Sequence, residues 1–181
     1  YNLEKNTDDQ LVALIQFGRS GTGLLHSLID GHPSVSTLPS IYLSEYFDHH
    51  TWENIVSNGW NEMANQFIKI YDVLFDASSS VPIIGKNKKL LYNIGHKEGM
   101  TKVGEGHNEI LKVDKNLFRL ELKRLMTNFT QLAAFDFFKL CHKAYDYALN
   151  DINKKSLIFY HIHNPDIYSQ LNFFNSAPNT K

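Results

Sequence analysis

Between Gly18 and Gly23 the chain reads Gly-Arg-Ser-Gly-Thr-Gly, directly after the apolar run Leu11 to Phe17. Glycines let a turn close tightly with its backbone N–H groups facing outward. A helix that begins there adds positive potential, so the combination suits a phosphate or a similar oxyanion. Gly18 and Gly23 have the spacing of the first part of a Walker A loop, which continues with Lys and then Ser or Thr. Here Leu24 and Leu25 follow. The usual hydroxyl ligand for magnesium is missing, which argues against an ordinary ATPase or GTPase. Arg19, Ser20 and Thr22 place one cation and two hydroxyls inside the turn, an arrangement for an anion held without a bridging metal. A plain strand–turn–helix corner would use the same glycines, and it is the Arg-Ser-Gly-Thr core that speaks for a ligand.

A second group of residues is His161-Ile162-His163-Asn164-Pro165. Histidines at i and i+2 of a strand point to one face. Three readings of His163 stand side by side: a general base, a strand-end residue bonded to the backbone, or one half of a His-x-His metal pair. The metal pair suits zinc or iron and needs a third ligand that no spacing marks. Asp48-His49-His50 invites a metal reading too, but adjacent histidines point different ways on a helix, and a surface position is expected. Glu45 is expected to be a solvated helix residue unless it acts as a base. Lys86, Lys88 and Lys89 with Tyr92 form a small basic patch, either a solvated hairpin or a contact for an anionic acceptor. His96, Glu105 and His107 lie in a glycine-rich stretch that reads as loop and could cover an acceptor.

These residues need elements to hold them. Leu11 to Phe17, a short apolar run ended by glycine, reads as a buried parallel strand. Thr22 to Asp30 has helical spacing, with Leu24, Leu25, Leu28 and Ile29, and Gly31-His32-Pro33 stops it. Val35 to Leu38 is a second short strand. Ile41 to Phe75 is helical with a break near Asn58-Gly59. Ser78 to Ser80 is a loop, and Val81–Ile84 with Lys89–Tyr92 suggests a hairpin or excursion. Asp114 to Thr127 is amphipathic. Gln131 to Asn150 is a long helix with Lys139 and Lys143 away from its apolar side. Phe129, Phe135, Phe137 and Phe138 read as core. Ser156 to His161 is a strong strand, and Asp166 to Asn175 a helix ended by Pro178. Strands alternating with helices imply βαβ units in a parallel sheet, and hence one α/β domain over 1–181 with residues 1–9 as a lead-in. In such sheets the carboxyl ends of the strands form the binding crevice, so the turn at 18–23 and the two histidines should open onto the same place.

The 181 residues are 43% hydrophobic and 20% charged, ordinary for a globular chain, and no internal repeat or low-complexity tract interrupts them. The formal net charge is −1. That argues against a general nucleic-acid coat or a polybasic membrane anchor. The single cysteine, Cys141, excludes an internal disulfide framework and a thiolate zinc cluster, and points to a reducing, cytoplasmic setting. No apolar run reaches the roughly 18–20 residues that span a bilayer. There is no basic-then-apolar leader, and the start at Tyr1 suggests that something precedes it.

Phe17-Gly18-Arg19-Ser20-Gly21-Thr22-Gly23-Leu24-Leu25, followed by His32-Pro33, resembles the 5′-phosphosulfate loop of the sulfotransferases that use 3′-phosphoadenosine 5′-phosphosulfate (PAPS). Arg19, Ser20, Gly21 and Thr22 match the family form position by position, and Gly23 replaces its usual second Thr. Aligned on Pro165, the 161–165 segment resembles the family strand that ends in Lys-Thr-His-Leu-Pro. His163 then falls on the catalytic histidine and His161 on the lysine, where it would bind the leaving phosphate only when protonated. Some members use a glutamate base after the first helix, which is the family reason to consider Glu45.

The resemblance implies a P-loop-like sulfotransferase architecture, a parallel sheet flanked by helices and incomplete at the C-terminus. It implies metal-free transfer of a sulfuryl group from PAPS to a hydroxyl or amine, with adenosine 3′,5′-bisphosphate as product. Gly18 to Leu24 would hold the phosphosulfate, Arg19 would stabilise the departing charge, and His163 would be the base. The acceptor would be a small molecule, a carbohydrate or a peptide, with no nucleic acid or membrane partner. The family strand that grips the 3′-phosphate would follow the stretch ending at Lys181, so half a cofactor site and an unpaired sheet edge are expected. The competing readings are a nucleotide kinase with an aberrant loop and a non-catalytic nucleotide-binding domain.

Overall fold

The computed structural model describes residues 10–16, 20–39, 46, 49–79, 100–163 and 172–173. Within them the chain forms an α/β fold with a three-stranded parallel sheet and five α-helices. The elements are β1 (Gln10–Gln16), α1 (Thr22–Ile29), β2 (Val35–Thr37), α2 (His49–Val56), α3 (Met63–Ile70), α4 (Lys115–Met126), α5 (Ala134–Ala148) and β3 (Leu157–His163). The strand order is β1-β3-β2, so the last strand lies between the first two. The register pairs Gln10 with Leu157 and Gln16 with His163, and, across β2, Val35 with Leu157. Among the described residues β1 is an edge of this sheet.

Period-2 alternation divides β3 into two faces. Ile158, Tyr160 and Ile162 are buried in the main core, and Tyr160 packs edge-on against Phe138 of α5, ring centroids 5.3 Å apart. Phe159 and His161 face the other way, toward His26 of α1. The sheet is therefore a middle layer, with α1 on one face and α5 on the other.

The α5 side is thick and aromatic. Phe67 of α3 stacks on Phe118 of α4 with ring centroids 5.6 Å apart and meets Phe137 of α5 edge-on at 5.9 Å. Each such buried ring contributes about 1.5–3 kcal/mol by leaving water. Phe137 and Phe138 are fully buried, with Phe129 and Phe135 packed against the same cluster, as the sequence suggests. Cys141 is a buried thiol inside it.

Local signals account for the element ends. Asp114 caps α4, its carboxylate accepting from the Asn116 and Leu117 amides at 2.7 and 3.1 Å. Gly59, at φ 82°, breaks the helical stretch between α2 and α3 where Asn58-Gly59 marks it. Gly31, at φ 74°, turns the chain after α1, and Thr37 Oγ1 donates to Asp30 Oδ1 at 2.6 Å, fastening the end of α1 to β2. The strand at 156–161 runs further than its apolar run, through His163. Around 100–109 the chain makes turns closed by Val103 pairing with Glu109. Glu105 and His107 are exposed there.

Lys139 departs from its expected solvent face and is buried. Its ammonium meets Asp136 at 3.2 Å and lies 5.0 Å from the centre of the Phe135 ring, partners that make burial of the charge tolerable. The suggested hairpin at Val81–Ile84 and Lys89–Tyr92 lies outside the described residues. So does most of the helix expected over Asp166–Asn175, of which residues 172–173 are helical.

Candidate functional site

The turn between β1 and α1 stands at the carboxyl end of the sheet. Gly21 is the N-cap of α1 in the left-handed conformation, φ 75° and ψ 10°, which a side chain would strain. Its carbonyl accepts from the Leu24 and Leu25 amides at 3.1 and 3.3 Å. The Thr22 and Gly23 amides come before these, where a helix has no carbonyl of its own to offer, and no described residue accepts from them. A Cβ built on Gly21 or Gly23 meets no described atom within 4 Å. At Gly23, unlike Gly21, φ is not positive, so a Cβ there brings no left-handed backbone strain.

Behind the turn lies a hydrogen-bonded chain of side chains. The Thr22 hydroxyl donates to Gln16 Oε1. The Gln16 amide nitrogen faces His161 Nδ1 at 3.0 Å, and His161 Nε2 faces His26 Nδ1 at 2.9 Å. The proton positions follow from the first bond. With Oε1 accepting, the Gln16 NH2 group is the donor to His161 Nδ1. His161 therefore carries its hydrogen on Nε2 and donates to His26 Nδ1, and His26 carries its own on Nε2. Gln16 and His161 are buried. Burial holds the His26 pKa below the ordinary imidazole range, with the Asp30 carboxylate opposing in part. Uncharged histidines fit this arrangement.

The structure brings together Ser20, Gly21, Thr22, Gly23 and Leu24 at the start of α1, with His161 beneath them. Both ring nitrogens of His161 face protein partners, which makes it a support for the turn more than a phosphate ligand. The Thr22 hydroxyl, expected to face an anion, is bonded inward. His163 closes β3 opposite Gln16, and its side chain lies outside the described residues, as do Gly18, Arg19 and Glu45. Lys86, Lys88, Lys89, Tyr92 and His96 lie outside them too. His49 and His50 are exposed beside Glu53, at 3.4 and 3.2 Å. Among the described residues no three His, Cys, Asp or Glu side chains are placed to hold a metal ion. None of the described helices is long and apolar enough to cross a membrane.

Gln16 and His26 escape sequence reasoning, and both leave a faint trace. His26 is one helical turn after Thr22 and so shares its face. Gln16 is the polar residue ending an apolar strand. Comparison of the chain with family models, with curated proteins and with solved structures finds no match.

Proposed function

We propose that the chain is a PAPS-dependent sulfotransferase domain whose turn at 18–23 holds the 5′-phosphosulfate. One observation carries the reading: a left-handed Gly21 starts α1 at the carboxyl end of the sheet, and no described backbone carbonyl accepts from the Thr22 and Gly23 amides. Such amides at a helix N-terminus bind oxyanions. The Arg-Ser-Gly-Thr match to the family loop supplies the chemistry that geometry alone leaves general.

PAPS would supply a sulfuryl group already bonded to a good leaving phosphate. In the proposed step His163 takes the proton of the acceptor hydroxyl or amine, the acceptor atom bonds to sulfur, and the bond from sulfur to the 5′-phosphate oxygen breaks. Charge builds on that oxygen, where Arg19 and the amides of the turn stabilise it. A sulfuryl group is less charged than a γ-phosphate, so the absent Walker Ser or Thr is no obstacle.

The test is calorimetric titration with adenosine 3′,5′-bisphosphate and with ATP, each with and without magnesium, alongside transfer of radiolabelled sulfate from PAPS to a panel of hydroxyl acceptors. Metal-independent bisphosphate binding with transfer is expected. Magnesium-dependent ATP binding without bisphosphate binding would make the protein kinase-like, and bisphosphate binding without transfer to any acceptor would leave a non-catalytic domain. Within the active protein, Arg19→Ala should lower turnover by about 10²–10³. His163→Ala should lower turnover at nearly unchanged bisphosphate affinity.

A further inference from the structure

The side chains behind the turn form one unbroken line across three elements, from Thr22 at the start of α1 through Gln16 of β1 and His161 of β3 back to His26 of α1. Such a line has two polarities. In the arrangement of the structure every group donates toward His26, and the Thr22 proton is spent on Gln16 Oε1. One added proton allows the reverse. His161 takes it on Nδ1 and passes its Nε2 proton to His26 Nδ1, 2.9 Å away, so the imidazole pair carries a single positive charge. The Gln16 amide turns over, with Oε1 accepting from His161 Nδ1–H and the NH2 group donating to Thr22 Oγ1. The Thr22 hydroxyl then accepts where it donated, and its own proton is released to another acceptor.

The place of Thr22 says what that acceptor is. Thr22 is the first residue of α1 and half-buried, and its hydroxyl belongs to the same residue as an amide from which no described backbone carbonyl accepts. An oxyanion held on the Thr22 and Gly23 amides therefore lies beside the freed hydroxyl. Gln16 and His161 are buried, so charge on the pair is poorly hydrated and gains from an anion above it. Around the pair stand Phe159 on β3, Gln16 on β1 and, on α1 itself, the Asp30 carboxylate, which Thr37 of β2 holds. Burial opposes charge on His26 more than Asp30 favours it, so without an anion the neutral polarity prevails.

We propose that this line is a proton-linked switch for the turn: an oxyanion arriving at Thr22 and Gly23 draws one proton onto the His26–His161 pair and receives the Thr22 hydroxyl as a donor. The proposal rests on the reading of the turn as an anion site. It adds acidity as a regulator of that site, and two positioning residues, His26 and His161, that act through Gln16 and Thr22. Affinity for the anion then rises as pH falls, by at most about tenfold per pH unit for one proton.

Sulfate is the probe, because it keeps its charge across this range and any proton taken up is the protein's. The ring nitrogens of His26 and His161 are followed in the full chain by long-range ¹H–¹⁵N correlation as pH falls from about 8 to about 5, without and with sulfate at constant ionic strength. In the free protein His161 Nδ1 should become protonated in the same step in which the pair becomes charged. His26 titrating while His161 Nδ1 stays bare would overturn the switch. Sulfate should bind about tenfold more tightly at pH 6 than at pH 8 and move that step to higher pH. Thr22→Val should hold the difference to within about twofold, and Thr22→Ser, which keeps the hydroxyl, should restore it. Equal sulfate affinity at both pH values, or a tenfold difference that survives in Thr22→Val, would overturn the linkage while leaving the turn an anion site. Reversal of the line with no sulfate bound at any pH would instead overturn the reading of the turn, and the linkage with it.

Discussion

The two faces of β3 are made from different chemistry. Toward α5 the strand presents Ile158, Tyr160 and Ile162 to a layer of aromatic rings, packed in the main core. Toward α1 it presents Phe159 and His161, and the contact is a short chain of hydrogen bonds. α1 has no fully buried residue, and Leu24 and Leu28 are 69% and 74% exposed. One strand therefore anchors a dense core on one side and a lightly held glycine turn on the other. Stability and site geometry should be separable by substitution, because they depend on opposite sides of the same backbone.

The largest effect is expected on the packed face. Phe138→Ala deletes a fully buried ring and should cost about 3–5 kcal/mol in denaturant unfolding. A loss below 1 kcal/mol would mean that the aromatic layer is not the anchor. On the other face, Gln16→Leu removes the group that bonds both Thr22 and His161. It should cost about 1–3 kcal/mol, and weaken bisphosphate binding while leaving the core intact. An unchanged affinity would detach the side-chain chain from the turn. Gly23→Thr should be tolerated within about 1 kcal/mol, since a Cβ there meets no described atom, and it should tighten bisphosphate binding by adding a hydroxyl. Weaker binding would argue against the family register of the loop.

The subtlest expectation concerns acid. His142, with its pKa lowered to about 3, stays neutral while an unfolded chain's histidine protonates near 6.5, so its contribution to stability is lost as pH falls through that range. Asp146, raised to about 6 from 3.8, keeps its proton in the fold after an unfolded chain has released it. Its contribution is present at low pH and is lost as pH rises toward 6. The two slopes oppose one another between about 4 and 6. Asp146→Asn removes one of them, so its melting temperature should climb more steeply with pH across that interval than the wild type's. Superimposable curves for the two proteins would contradict the assignment.

How far the sequence could be read follows the same division. The strands and helices come from apolar runs and periodicity, and Gly31, Gly59 and Asp114 mark their ends by local chemistry. The start of α1 at Gly21 and Thr22 is legible because a glycine before an apolar helical run marks such a corner. What escapes is whatever depends on distant partners. Lys139 looks solvent-facing until Asp136 and the Phe135 ring are seen around it. His142 lies on the apolar stripe of α5, four residues after Phe138, yet only Ser36 across the fold gives it a role. Gln16 and His26 become meaningful through His161, which no spacing in the chain connects to them.

Gln16 and His161 are 145 residues apart in the chain, and their bond holds the turn in place. A growing polypeptide would display its glycine loop almost at once, yet could not set it against a partner strand until synthesis had passed His161. Pairing over such a span is slow to nucleate. The order of the turn should therefore emerge at the end of folding, well after the helices have condensed, and refolding followed by capture of the proposed bisphosphate ligand should lag behind refolding followed by helical signal.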